Sequence, residues 1–166
     1  MTIQNVVKWP NSKLKVHCTR ILPNLTEHVV AAKALIQDLK DTLAESGGVG
    51  LAANQIAETR AVLIIDSKAQ GVKAFVNPKI VQSRDWEMKA EGCLSVPGMV
   101  AEVRRAKTIV VEYLDLGTGK TVQEEFEGLD AHILQHEVDH LNGIVFIDYL
   151  SAGVRDQIRS NLRKKR

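Results

Sequence analysis

The stretch Gln135–Ile144, QHEVDHLNGI, places two histidines four residues apart with a glutamate directly after the first. In a helix His136 and His140 project from one face about one turn apart, so their imidazoles can converge on a single divalent ion with Glu137 beside it as a base. A core helix with a lone histidine satisfying a buried hydrogen bond is the ordinary alternative. A pair at this spacing with a flanking glutamate favours the metal. Around it, Asp130 is placed to cap a helix that runs to about Asn142, with Leu129 and Leu134 as a hydrophobic staple and Gly143 as the stop. Leu134, Val138, Leu141 and Val145 form one apolar stripe, while Ile133, His136, Glu137 and His140 form a second face. A helix with two such faces is expected at the centre of the molecule.

His132 extends the ladder to three histidines. Positions 132 and 140 are about 12 Å apart along a helix rising ~1.5 Å per residue, whereas ligand nitrogens lie about 2 Å from a metal. They cannot share one ion, and the pair 132/136 has Ile133 where the base is needed. His132 is therefore expected beside the adjacent pocket, and Asp139 points away from the metal face as a supporting or surface group. A hydrolytic site usually has a third protein ligand. A metzincin would place a histidine where Phe146 stands, and no glutamate follows Glu137 to complete a thermolysin-like set. Upstream, EGCLSVPG at 91–98 offers Cys93, after a glycine that admits a close backbone and before a Pro-Gly turn. Cys93 is the expected third ligand and Cys18 a small buried residue. Thiolate with two imidazoles suits zinc or ferrous iron rather than magnesium or calcium.

Working outward, 166 residues are enough for one domain with a real core, and 45% hydrophobic with 25% charged residues excludes disordered and fibrous classes. A net charge of +2 does not indicate a nucleic-acid binder, and no specific DNA contact is expected. No targeting segment and no run of membrane-spanning length is read, so a cytoplasmic setting is expected, or an organellar matrix in a eukaryote. Thr26 to Ser46 carries apolar residues at Val29, Ala32, Leu35, Ile36, Leu39 and Leu43, which line a helical face, with Thr26 as cap and Gly47 as stop. Ala61–Asp66, Ala74–Val76, Lys79–Gln82 and Ile109–Tyr113 read as short strands. The expected fold is α+β: mixed or antiparallel β-sheets packed around the central metal-binding helix, with an N-terminal and a C-terminal helix. The whole of 1–166 is expected to be one catalytic domain ending in a basic helix or tail at about 152–166.

Three motifs in order, GVGLAANQ at 48–55, EGCLS at 91–95 and QHEVDH at 135–140, together with WPNSKL near the start and HLNGIVFIDYLS near the end, make the chain resemble the peptide deformylases. The resemblance covers nearly the whole chain. It implies removal of the formyl group from the N-terminal formyl-methionine of new polypeptides, with release of formate. It implies ferrous iron held by Cys93, His136 and His140, with zinc or nickel able to replace it. It gives Glu137 the role of general base and acid, and the Gln55 side chain and Leu94 backbone N–H the role of stabilising the oxyanion. It places substrate pairing near Val49, Gly50 and Gly92. A bound divalent metal lowers the pKa of water from 15.7 toward roughly 7, which yields the hydroxide expected to attack the formyl carbon.

Asp130 and His132 depart from the family's usual helix opening. His132 is expected either to narrow or polarise the methionine side-chain pocket, and so to bind substrate, or to be a partly exposed histidine at a helix start. The tail RDQIRSNLRKKR holds six basic residues and one acidic residue. A solvated amphipathic helix is the default for such a run, and the resemblance implies ribosome contact. A small metalloprotease and a non-catalytic binding protein with a structural metal are the rival functions.

Overall fold

The computed structural model describes residues 3–164, with side chains through residue 160. After a 3-10 turn at Ser12–Lys15 comes helix α1, Thr26–Ser46, which buries Ala32, Leu35, Leu39 and Leu43, the residues of one helical face. Gly47 ends it in the left-handed conformation, as a stop at that position requires. Leu25, not Thr26, occupies the cap position, and it makes no side-chain cap bond.

Five strands follow in chain order and lie in that order across one sheet: β1 Gly50–Ala52, β2 Val62–Ser67, β3 Gly71–Cys93, β4 Val96–Asp115 and β5 Lys120–Glu127. Every neighbouring pair is antiparallel, so the sheet is not mixed. The fold is α+β. The short strands read at Ala74–Val76 and Lys79–Gln82 belong to one long strand, interrupted by a register shift where Asn77 takes φ 53° beside Pro78. Past Gln82 the polar run continues as strand because β4 pairs with it residue by residue, Lys89 opposite Val103 and Glu91 opposite Ala101. Residues 82–90 of β3 are almost all exposed, while β4 opposite them buries Val103, Ala106 and Ile109, so the β3 half of this hairpin carries no apolar block.

Helix α2, Gly128–Leu141, lies against β1, β2 and β4 with ten buried residues. Its start differs from the expectation. Glu127 occupies the cap position, Asp130 sits within the first turn and accepts from Ser67 Oγ at 2.5 Å, and Leu129 is 46% exposed, so no staple forms. The main core joins α1, β2 and the apolar stripe of α2, including Leu134, Val138 and Leu141. A second cluster joins Trp9, Val96, Val103, Phe146 and Ile158 of helix α3, Ala152–Lys164. Gly143 ends the α2 turn at φ 74°, and a Cβ there would lie 2.6 Å from the Lys15 carbonyl oxygen.

Candidate metal centre and its cavity

Cys93 is the last residue of β3, at a register shift just before the turn into β4. His136 and His140 face it from adjacent turns of α2, and the ligand atoms of the three all lie within 4.8 Å of one another. Cys93 Sγ is 3.2 Å from His140 Nε2, and the two imidazoles meet edge to face with centroids 4.9 Å apart. Donors around a tetrahedral ion, at about 2.0 to 2.3 Å from it, lie roughly 3.3 to 3.8 Å from each other, so this set fits one ion.

The chain fixes these groups from behind. His136 Nδ1 is 2.8 Å from Glu91 Oε2, which leaves Nε2 for the metal. Glu91 also takes Arg105 Nε at 2.6 Å and His132 Nε2 at 3.1 Å, and Arg105 spans to Asp139 Oδ2 at 2.6 Å, which in turn accepts from Tyr149. Burial alone would raise the Glu91 pKa. The hydrogen bonds from His132, His136 and Arg105 outweigh it and hold the carboxylate far below its ordinary range. Burial likewise disfavours a charged His136, but its bonds to Cys93 and Glu91 raise it to about 10, a proton against which a cation would compete. His140, wholly buried, is pushed well below the ordinary histidine value by desolvation.

Glu137 has the environment of a base. Desolvation raises its carboxyl to about 7, opposed by the charge of His136 and assisted by those of Glu91 and Asp139. Its Oε2 is buried without a hydrogen-bond partner. Gly50 of β1 approaches so closely that a Cβ there would lie 2.6 Å from Glu137 Oε1. Gln55 stands in a 3-10 turn after β1, where its Oε1 accepts from the Ala52 N–H at 2.9 Å and its Nε2 donates to Ser95 Oγ at 3.2 Å and faces Cys93 Sγ at 3.6 Å. The amide is thereby oriented with its donor end toward the centre. Lys8 Nζ donates to the Leu94 carbonyl at 2.7 Å and holds the turn between β3 and β4.

A cavity of about 520 Å³ opens on these groups, lined by Val49, Gly50, Gln55, Gly92, Cys93, Leu94, His132, His136 and Glu137 among others. His140 lies behind it, fully buried. Every residue singled out from the sequence for this site is thus in the wall or immediately beneath it. Asp139 supports Arg105 rather than facing solvent freely. Sequence reading missed Arg105, Lys8 and Ser95 altogether and gave Glu91 no role of its own, because no spacing rule links these residues to the helix. The one signal in the sequence was a glutamate two residues before the candidate ligand Cys93.

A family model described as polypeptide deformylase matches residues 3–156. Peptide deformylase 2 of Xanthomonas campestris pv. campestris is 37% identical over all of this chain and 98% of its own length. Peptide deformylase of Xylella fastidiosa is 39% identical, again across all of this chain and 98% of its own. Among solved structures, a peptide deformylase from Legionella pneumophila superposes with a TM-score of 0.87 at 36% identity, covering 98% of this chain and 95% of that one. One from Ehrlichia chaffeensis in complex with actinonin reaches 0.88 at 32% identity, covering 99% and 98%.

Proposed function

This chain belongs to the polypeptide deformylase family, enzymes that remove the N-formyl group from nascent peptides, and from that premise we propose which of its residues carry the reaction. The site takes a divalent metal. Cys93, His136 and His140 are its ligands, and the ion is Fe²⁺, with Zn²⁺ or Ni²⁺ as replacements, consistent with one thiolate and two imidazoles. When bound, such an ion supplies Lewis acidity and lowers the pKa of water.

The protein's own groups do the rest. Glu137, poised near neutrality, takes the proton of the attacking water and returns it to the leaving amine, a transfer that typically contributes about 10² to 10⁴-fold. The Gln55 Nε2 and the Leu94 backbone N–H donate to the formyl oxygen as it gains charge, and loss of one such donor usually costs about 3 to 4 kcal/mol. The backbone at Val49, Gly50 and Gly92 pairs with the peptide, and His132 borders the first side chain. The single observation that carries this reading is the unpartnered, buried Glu137 Oε2 beside a set of three convergent ligands. A structural metal site has no use for such a group, and that disfavours a non-catalytic binding protein.

Residues 1–166 act as one catalytic domain, since Ile158 of α3 packs with Trp9 near the start. No helix among the described residues is long and apolar enough to cross a membrane, and the enzyme works in the cytoplasm, where formylated chains emerge. Its basic C-terminal helix contacts the ribosome. Arg155 and Arg159 are partly exposed there, although Arg159 lies over the Trp9 ring and Arg155 reaches Asp148 at 4.0 Å. The side chains of Leu162 and Arg163 and residues 165–166 lie outside the described residues. Because Ile158 is core, charge reversal at Arg155 and Arg159 tests ribosome cosedimentation better than truncation; unchanged cosedimentation would refute the contact.

Formate release from formyl-Met-Ala-Ser by anaerobically purified protein tests the main reading, with metal content measured on the same sample. Near-stoichiometric iron with formate release that disappears in Glu137→Ala is expected. Cleavage of unformylated peptides in place of deformylation would establish a metalloprotease instead.

A further inference from the structure

The two groups assigned above to the formyl oxygen come from different loops: Gln55 from the 3-10 turn after β1, and Leu94 from the turn between β3 and β4. The N-terminal segment lies across both. The Val7 N–H donates to the Gln55 carbonyl at 2.7 Å and the Trp9 N–H to the Ser95 carbonyl at 2.9 Å, while Lys8 Nζ reaches the Leu94 carbonyl at 2.7 Å. Three consecutive residues thus tie one loop to the other. The segment is itself anchored, because the Gln4 N–H donates to Thr42 Oγ1 of α1 at 2.9 Å, Val6 packs against the main core, and Val7 and Trp9 pack in the second cluster.

The effect concentrates at Leu94. Its N–H lies in the peptide plane shared with Cys93, and a planar peptide unit can turn only as far as the planes on either side allow. The plane that follows, Leu94–Ser95, is held at both ends: Lys8 binds its carbonyl, and its Ser95 N–H donates to Cys93 Sγ at 3.4 Å. Lys8 is exposed at the rim of the cavity, so it can grip this turn from outside without filling the space beside the metal ligands.

We propose that Lys8 is a positioning residue for deformylation: by holding the Leu94 carbonyl it keeps the Leu94 N–H aimed at the formyl oxygen as that oxygen gains charge. The proposal rests on the deformylase reading of the site. Its role runs through the backbone and requires no contact with the substrate. A donor already in place needs no reorganisation when charge develops, whereas a turn free to rotate must be ordered during the reaction. Because the charged oxygen exists only in the transition state and the intermediate, the loss falls on kcat and leaves peptide binding alone.

The test compares the metal-loaded full chain as wild type, Lys8→Met and Lys8→Arg. Formyl-Met-Ala-Ser is the substrate, and Met-Ala-Ser, the product without the formyl group, is a competitive inhibitor that reads peptide binding by itself. Methionine keeps an unbranched stem and removes the ammonium; arginine keeps a charged donor. Removing an oxyanion donor outright costs about 10²- to 10³-fold in kcat, so loosening one is expected to cost about three- to tenfold in Lys8→Met. KM, the Met-Ala-Ser inhibition constant, metal content and melting temperature are expected to stay at wild-type values, and Lys8→Arg is expected to recover most of the lost kcat. A Lys8→Met enzyme with wild-type kcat would overturn the proposal. So would a loss carried by KM and the Met-Ala-Ser inhibition constant, which would make Lys8 a peptide-binding residue. Failure of the wild type to release formate from formyl-Met-Ala-Ser would overturn the site reading and this proposal with it.

Discussion

Gly50→Ala adds a single methyl group at the point where β1 meets the base. That Cβ would lie 2.6 Å from Glu137 Oε1, 2.9 Å from Glu137 Cγ and 2.8 Å from Ile133 Cγ2. Ordinary contact between carbons is about 3.5 to 4.0 Å, so the Glu137 and Ile133 side chains must retreat by roughly 0.6 to 1.4 Å. Both project from α2, whose other face is packed in the main core, so the helix cannot yield as a unit. The carboxylate moves instead. A misplacement of about 1 Å in a reacting group costs about 10²-fold, and overpacking costs about 1 to 3 kcal/mol. We therefore expect kcat/KM for formyl-Met-Ala-Ser to fall about 10²-fold, with metal content near wild type because none of the three close contacts is a ligand. Gly48→Ala is the internal control. Its Cβ would meet Leu94 Cδ1 at 2.8 Å, the far end of a flexible side chain, and a loss of less than about fivefold is expected. Formate release, metal analysis and thermal denaturation on the three proteins decide the matter. A Gly50→Ala enzyme within threefold of wild type would refute the claim that this close approach fixes the base.

Glu137→Gln should stabilise the chelator-treated protein while abolishing turnover. The folded-state pKa of Glu137 is raised from 4.5 to about 7, so stability conferred by its protonated form is fully present below about pH 4.5 and lost as pH rises through about 7. The variant escapes that loss, by on the order of 3 kcal/mol above pH 7, and urea denaturation at pH 4.5 and pH 8 checks it; a pH-independent difference would contradict it. Arg105→Met leaves the buried Glu91 and the half-buried Asp139 without their shared cation and should cost about 3 to 5 kcal/mol; a loss under 1 kcal/mol would show the clamp to be dispensable. Glu91→Ala frees His136 Nδ1, and metal transfer to a chromophoric chelator should reveal a 10- to 100-fold weaker site, with unchanged affinity as the opposing result. Gly143→Ala combines a positive φ with collision against the Lys15 backbone, and a fall in urea midpoint equivalent to about 3 kcal/mol is expected, an unaltered midpoint being the refuting outcome.

The candidate ligand pair and the glutamate proposed as base stand out in the sequence because a helix converts a four-residue spacing into a shared face, whatever else the chain does. Cys93 was legible as the residue completing a set. The same local logic found α1 and its glycine stop, since 3.6-residue periodicity and a left-handed cap are properties of the segment itself. It misplaced the start of α2, where a contact from Ser67 recruits Asp130 into the first turn. It also cut the long hairpin short, because β3 past Gln82 is mostly exposed, carries little apolar signal and is held by its pairing with β4.

What makes the centre work is set over longer separations. Glu91 meets Arg105 across 14 residues, His132 across 41 and His136 across 45. Gly50 reaches Glu137 only because β1 lies at the edge of the sheet against α2. The sequence by itself determined which atoms could bind a metal and move a proton, through helix geometry and side-chain chemistry. The tertiary structure alone decided which nitrogen of each histidine is free, how far the Glu137 pKa rises and how closely the backbone confines it. Those depend on β3 and β4 register and on the burial that packing creates, and neither is encoded in any single segment.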